Sequence, residues 1–271
     1  MLRRFGKRLV AGIGVLLAAA GPAAAAGTAS GVAGTEDTGN PKQRGEFYVK
    51  VSTGLGLTDD SDLEVRQSDP SGDTNLTLHD VEWEDNSLSG PSARYTGVRI
   101  GYFFAGRPWL GLAFDFLHYK VFAEVQRDVR ISGVNQGVAI DEVAPMETVV
   151  QRYDVANGVN LLPFTIIARH RGQRDERYTN GRVQLYGGLG VGPTLLYTQS
   201  SVHGRTRGGP YEFGNPVVQL VGGVQFHVSR SWDVFFESKY TRTEADGSIA
   251  GGSSSADLSS NHWTLGGGYH W

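Results

Sequence analysis

A few residue groupings in the chain are of a type and spacing that could do chemistry. His118, Tyr119 and Lys120 are adjacent and offer a base, a phenol and an amine. His227 and Asp233 flank a short Ser229-Arg230-Ser231 turn, so a hairpin there would set an imidazole opposite a carboxylate. Such a pair suits general-base work, yet no serine nucleophile can be placed beside it. Arg99 with Asp115, and Glu237 with Lys239, are opposite charges placed to pair inside a fold. From Thr58 to Asp85 ten carboxylates stand against the single cation Arg66, a net charge of −9. Their spacing matches no EF-hand rhythm, so the segment reads as a solvated, mobile loop, although hard oxygen ligands could bridge divalent cations to phosphates. The seven histidines are scattered, and no spacing requires two or three of them to converge on a metal. With no cysteine in the chain, a zinc-thiolate site, thiol catalysis and a disulfide scaffold are excluded. The expectation is a protein without metal or cofactor.

What positions these groups is a period of two. Phe47, Val49, Val51, Thr53, Leu55 and Leu57 share one parity, while Tyr48, Lys50, Ser52, Gly54 and Gly56 share the other. Alternate side chains lie on one face of a strand, so the segment has an apolar face and a polar or very small one. The pattern recurs at Thr96–Phe104, Leu110–Phe116, Leu162–Ala168, Val183–Gly192, Val218–His227, Asp233–Tyr240 and His262–Trp271, making eight strands in all. Pro163 blemishes the fourth and suggests a bulge or a late start. Long segments at about 58–92, 120–158, 198–215 and 243–260 alternate with tight turns at Gly106-Arg107 and Ser229–Ser231. In the second of them Val121, Ala123, Val125, Val129 and Ile131 keep the period, so strands three and four should project as a hairpin.

An even number of antiparallel strands with alternating short turns and long loops is the order of an outer-membrane barrel. A soluble barrel of lipocalin type would alternate as well, with its apolar parity turned inward. Against it, glycines and ionisable residues share one parity, and aromatics flank the tight turns: Phe104 and Trp109, Phe226 and Trp232, Tyr269 and Trp271. That is where a membrane-interface girdle belongs. The expected fold is all-β, a transmembrane antiparallel eight-stranded up-and-down β-barrel over 46–271 whose lumen is too narrow for an aqueous channel.

Arg3, Arg4, Lys7 and Arg8, then apolar Leu9 to Ala20 and Ala24-Ala25-Ala26, read as a cleaved export signal over 1–26. Its removal leaves 21 basic against 28 acidic residues, a net charge of −7, which argues against nucleic acid as a partner. Residues 27–45 are rich in Gly, Thr and Ser and read as a flexible leader.

The segment from Glu46 to Trp271 resembles the small eight-stranded outer-membrane barrels of opacity-protein and OmpA-transmembrane type. The likeness is carried by the closing strand His262–Trp271, by Trp232–Tyr240 with its inward Glu237, and by the glycine-rich Leu185–Gly192. It implies a monomer in the outer membrane of a Gram-negative bacterium, surrounded by its lipids and lipopolysaccharide. It also implies that the barrel assembly machinery reads Trp263, Leu265, Gly267, Tyr269 and Trp271 as an insertion signal. Trp271 stands where phenylalanine is commoner. A narrower likeness, carried by Phe114–Ala123 and Asn157–Leu162, is to lipid A oxidase barrels. It implies, as the alternative to a structural or surface-interaction role, a lipid A-modifying enzyme with His118, Tyr119 and Lys120 at its outer rim. His227-Val228-Ser229 matches the His-x-Ser of lipid A deacylase barrels, but at the wrong end for an outer-leaflet substrate. Convergence of His118, Tyr119, Lys120 and a loop acid in one lipid-facing cleft is what the enzyme reading requires.

Overall fold

The computed structural model of the chain describes residues 45–84, 95–172, 178 and 180–271. The export signal and nearly all of the leader lie outside the described residues. Sixteen strands occur among those described: β1 (Glu46–Thr58), β2 (Ser61–Gln67), β3 (Thr74–Val81), β4 (Trp83–Glu84), β5 (Tyr95–Phe104), β6 (Arg107–Ala123), β7 (Asp128–Asn135), β8 (Val138–Pro145), β9 (Val150–Leu161), β10 (Phe164–Gly172), β11 (Val183–Leu196), β12 (Gln199–Val202), β13 (Arg205–Gly208), β14 (Glu212–His227), β15 (Trp232–Ile249) and β16 (Gly252–His270).

Eight of them close a ring. β1 pairs with β5, β5 with β6, β6 with β10, β10 with β11, β11 with β14, β14 with β15, β15 with β16, and β16 returns to β1, every pair antiparallel. Closure leaves the ring without an edge strand. At the seam Tyr48 faces His270 and Thr58 faces Ser260. Phe47 and Trp271 then exchange two backbone bonds, of 3.2 and 3.1 Å, completing it at the short-turn end.

The alternation sets the two faces of the ring. Val51, Ile100, Leu112, Phe164, Leu189, Val218, Phe236 and Leu265 point outward and are exposed, whereas Lys50, Arg99, Asp115, Thr165, Gln219, Glu237 and Thr264 point inward and are buried. On β1 the outward apolar run from Phe47 to Leu57 has the length with which a tilted strand crosses a bilayer. Aromatics gather at the short-turn end, where the ring of Phe47 lies 4.5 Å from Tyr102, and that of Trp232 lies 5.0 Å from Tyr269. No helix among the described residues is long and apolar enough to span a membrane.

Inward rings are accommodated by glycine. Tyr48 faces Gly101, Tyr186 faces Gly223 and Phe235 faces Gly266 across neighbouring strands. A Cβ on Gly101 would come within 2.3 Å of the Tyr48 ring, so the narrow interior holds one aromatic and one absent side chain at each such pair.

The first long segment, expected as a solvated, mobile loop, is instead built of strands, and strand runs on through the other three as well. Residues 58–92 contain the β2–β3 hairpin, 120–158 contain β7 and β8 and most of β9, 198–215 contain β12 and β13, and β15 and β16 run on through 243–260 as one hairpin. β2 pairs with β16, β3 with β2, and β7 with β3. The reason is a change of parity. On β6 the apolar residues outward are Leu110, Leu112, Phe114 and Phe116, after which Leu117, Tyr119, Val121 and Ala123 turn inward. Past the lipid belt an apolar side chain gains by leaving water, so the same strand buries its other face. Leu63, Val65, Leu76, Leu78 and Val81 of the acidic segment join Trp83, Ile131, Met146, Tyr153, Leu161, Ile249 and Leu258 in one apolar core. The carboxylates of that segment sit mainly on its outward face. The late start of the fourth strand is explained at Leu162-Pro163, where β9 ends and β10 begins. The proline has no N–H for the ladder, but its carbonyl accepts from the Asp115 N–H at 3.0 Å.

Candidate functional site: the polar interior of the barrel

The lower interior holds two linked polar clusters. At mid-barrel the inward position of β5 is Arg99, directly opposite Asp115 on β6. Arg99 Nε donates to Asp115 Oδ1 at 2.8 Å, and its Nη1 donates to Glu237 Oε2 at 2.5 Å. Lys239, one pleat further on β15, lies 3.0 Å from Glu237 Oε1 and 3.5 Å from Asp115 Oδ1. Thr165 Oγ1 and Gln219 Nε2 donate to Asp115 Oδ2 at 3.0 and 3.3 Å. Two cations and two carboxylates thus share one buried site in which each charge has an opposite within reach, the condition under which buried ions are tolerated. Lys50 is held differently: its ammonium donates to Gln225 Oε1 at 2.5 Å and lies 4.4 and 4.6 Å from the ring centres of Tyr186 and Phe235.

The second cluster lies at the short-turn end. Arg169 on β10 forks onto Glu46 with Nη1 to Oε1 at 2.9 Å and Nη2 to Oε2 at 2.6 Å, and its guanidinium stacks 3.6 Å over Phe103. The other side of Glu46 Oε1 meets His270 Nδ1 at 2.5 Å. His270 Nε2 bonds Asp233 Oδ2 in turn. His227, opposite Asp233, receives the amide nitrogens of Gln184 at 3.0 Å and Gln225 at 2.9 Å on its Nε2. Both amides are oriented by cations, since the oxygen of Gln184 accepts from Arg169 and that of Gln225 from Lys50. His227, Asp233 and His270 therefore present ligand atoms all within 4.8 Å of one another, all three residues buried. The histidine spacing gave no reason to expect this. His227 and Asp233 meet through their hairpin, but His270 arrives only because β16 lies against β15.

A layer of rings separates this polar interior from the apolar outer core. His262 lies 5.1 Å from Tyr95 and 4.8 Å from Tyr119 and meets Thr241 Oγ1 at 2.9 Å. Below it the void among Lys50, Ser52, Arg99, Glu237 and Lys239 measures about 10 Å³, space for about one water.

The three rim candidates are not brought together. Tyr119 points into the barrel, where its hydroxyl lies 3.3 Å from Ser260 Oγ, while His118 and Lys120 take the opposite face of β6. His118 Nδ1 is engaged by Asn160 Oδ1 at 2.9 Å. No single cleft contains the three. Trp263, Leu265, Gly267, Tyr269 and Trp271 share the outward face of the closing segment.

Outside the lipid belt, charge is arranged on the surface. Arg130 forks onto Asp141 across β7 and β8 at 2.8 and 2.9 Å, and this bond holds the Asp141 carboxyl below the ordinary carboxylate range. Asp69 is lowered by the N–H and hydroxyl of Ser71, with Arg205 at 3.0 Å. Burial raises Asp154, against the pull of Arg152, and lowers His203. An open cleft of about 580 Å³ is lined by Glu64, Arg66, Glu212, Phe213, Glu244 and Asp246, among others.

Neither a protein-family model nor a curated protein matches the chain. Among solved structures it is similar to the Neisserial surface protein A, at 12% identity over 82% of this chain and 96% of that one, with a TM-score of 0.39. It is similar also to the outer-membrane protein OprG of Pseudomonas aeruginosa, at 12% identity, 84% and 97% coverage and a TM-score of 0.44. The attachment invasion locus protein Ail of Yersinia pestis aligns at 13% identity, 84% and 99% coverage and a TM-score of 0.34. The closed antiparallel ring, its outward apolar belt, its aromatic rim and its filled polar interior are this chain's own features, and they give it the fold of a small membrane-spanning β-barrel.

Proposed function

We propose that the protein is a surface-display barrel, a filled membrane anchor carrying a folded outer β-structure that meets partners at the cell surface. One observation carries this reading: the strands do not stop at the lipid belt but continue into an outer storey with its own apolar core, while the interior beneath is closed by side chains. A pore would leave the interior open and a simple anchor would need no second core. The export segment 1–26 delivers the chain to the periplasm, and the barrel assembly machinery inserts it by the outward aromatic face of His262–Trp271. The protein then stands as a monomer among the lipids and lipopolysaccharide of a Gram-negative outer membrane, short turns in the periplasm. The outward carboxylates of β2 and β3, with Glu244 and Asp246, are exposed on the outer storey, where Arg66 and Arg242 pair with some of the neighbouring acids. That chemistry suits contact with lipopolysaccharide phosphates through divalent cations, or with a basic partner.

An epitope placed in the Gln136-Gly137 turn between β7 and β8 tests the reading. It should be reached by antibody on intact cells, and the protein should stay with the membrane pellet after osmotic shock. Recovery of the protein in the soluble shock fluid, or an epitope reached only after lysis, overturns it.

A further inference from the structure

We propose that His227, Asp233 and His270 form a zinc-binding clamp at the short-turn end of the barrel, tying together β14, β15 and β16 next to the seam with β1. The three come from the last inward position of β14, the first of β15 and the last of β16, so one ion would join three consecutive strands where the ladder ends. Their ligand atoms lie within 4.8 Å of one another and each residue is at most 4% exposed. Two imidazoles and one carboxylate are the donors of a borderline-soft ion that takes tetrahedral sites, which favours zinc over calcium or magnesium.

Three further observations point to a ligand. Asp233 Oδ1 is buried and has no hydrogen-bond partner among the described residues, although the other oxygen of the same carboxylate is engaged. A buried carboxylate oxygen left bare is costly, and a cation would satisfy it. The Nε2 of His227 accepts from the amides of Gln184 and Gln225, whose orientations are set by Arg169 and Lys50, which fixes it as the unprotonated nitrogen that a cation would take over by displacing those amides. His270 is supported from behind, its Nδ1 on Glu46 and Glu46 on Arg169, which is the carboxylate–histidine arrangement that orients metal-binding imidazoles. Through Glu46 the clamp also reaches β1, so four strands on both sides of the seam are coupled at one point.

The test uses the full mature chain refolded in detergent, with zinc and cobalt(II) as the probes. One zinc per chain should survive dialysis against metal-free buffer, and the cobalt-loaded protein should show the intense visible bands of a tetrahedral ion. His227→Gln and Asp233→Asn should each weaken zinc by more than about tenfold, and Glu46→Gln by about 10–100-fold, the usual effect of losing a supporting carboxylate. His170→Gln, on the exposed face of β10, should leave affinity unchanged. The proposal is overturned if the wild-type protein retains no zinc, or if His227→Gln and Asp233→Asn bind as tightly as wild type. Should those variants not fold, the wild-type cobalt spectrum decides: weak octahedral bands overturn the clamp, and tetrahedral bands support it.

Discussion

Among the buried residues the decisive quantity is whether each charge has a partner. Arg99 stands between Asp115 and Glu237, so replacing it with Met keeps an unbranched stem but removes the guanidinium and leaves two carboxylates sharing one ammonium, that of Lys239. The expected cost is about 3–5 kcal/mol, the usual penalty for stranding a buried charge. Lys50→Met removes an ammonium held by a neutral amide and by rings, and should cost clearly less. Urea midpoints of the two variants in detergent, compared with wild type, measure the difference; equal midpoints would refute this account of the network. The register of Arg99 against Asp115 was legible in the sequence because a hairpin centred on Arg107 puts them opposite each other, and both lie on the inward parity. The place of Glu237 beside them was less so. It sits 138 residues from Arg99 and meets it across the lumen rather than along a ladder, a distance that only the closed ring sets. His270 near His227 has a different origin: it follows from β16 lying against β15, one strand beyond the hairpin that sets His227 opposite Asp233.

At the scale of elements, the eight membrane strands could be read because a lipid-facing strand keeps one apolar parity over its whole crossing. The outer storey could not be read in the same way. Where the surroundings change from lipid to water the apolar parity inverts, and a fixed-parity reading ends β6 at Phe116 although the strand continues to Ala123. In the acidic segment the charges draw attention to solvent, yet Leu63 with Val65 and Leu76 with Leu78 hold the period that buries them. These outer hairpins also differ from the barrel in their response to acid. His203 sits in the turn between β12 and β13 with φ 48° and Gly204 at 73°, the two positive angles of a type I′ hairpin. Burial depresses its folded pKa below the ordinary 6.5, so its neutral form stabilises the fold above that value and the contribution is lost as pH falls through the lowered one. Asp69 and Asp141, also depressed, lose theirs only below 3.8, as their folded values are passed. Asp154, raised by burial, has the opposite sign: it favours the fold at low pH and loses that contribution as pH rises through its folded value. Among these four outer groups the first to respond on acidification below neutrality is His203, in the β12–β13 turn. Amide exchange there, corrected for intrinsic rates, should quicken as pH falls below the ordinary histidine value of 6.5. His203→Gln should remove the step, and an identical step in that variant would assign it elsewhere.

The whole molecule explains why its composition looks soluble. Mean hydropathy is −0.26 because each membrane strand gives lipid only alternate residues, and because the strands continue well past the belt with polar residues outward. β15 runs from Trp232 to Ile249, and beyond Tyr240 its outward positions are Arg242, Glu244 and Asp246. The 38 glycines belong to the same geometry, several of them facing inward rings that would otherwise collide with a neighbouring side chain. Two interiors stacked end to end, one polar and one apolar, follow from a single closed ring entering two surroundings. They also define what can pass. An ion entering from the short-turn end meets the Glu46–Arg169 fork, then the Arg99 cluster with its void of about 10 Å³, then the Tyr95, His262 and Tyr119 layer, and then an apolar core. An ion without its water would have to cross that last region unpaired, at a cost of many kcal/mol. The purified protein in planar bilayers should therefore show no conductance steps, and liposomes containing it should swell in small sugars no faster than protein-free ones. Arg99→Met should remain just as impermeable despite its weakened network, since the apolar storey closes the path independently. Steps in the wild type would contradict the filled interior, and steps in Arg99→Met alone would show that the polar layer is the sole barrier.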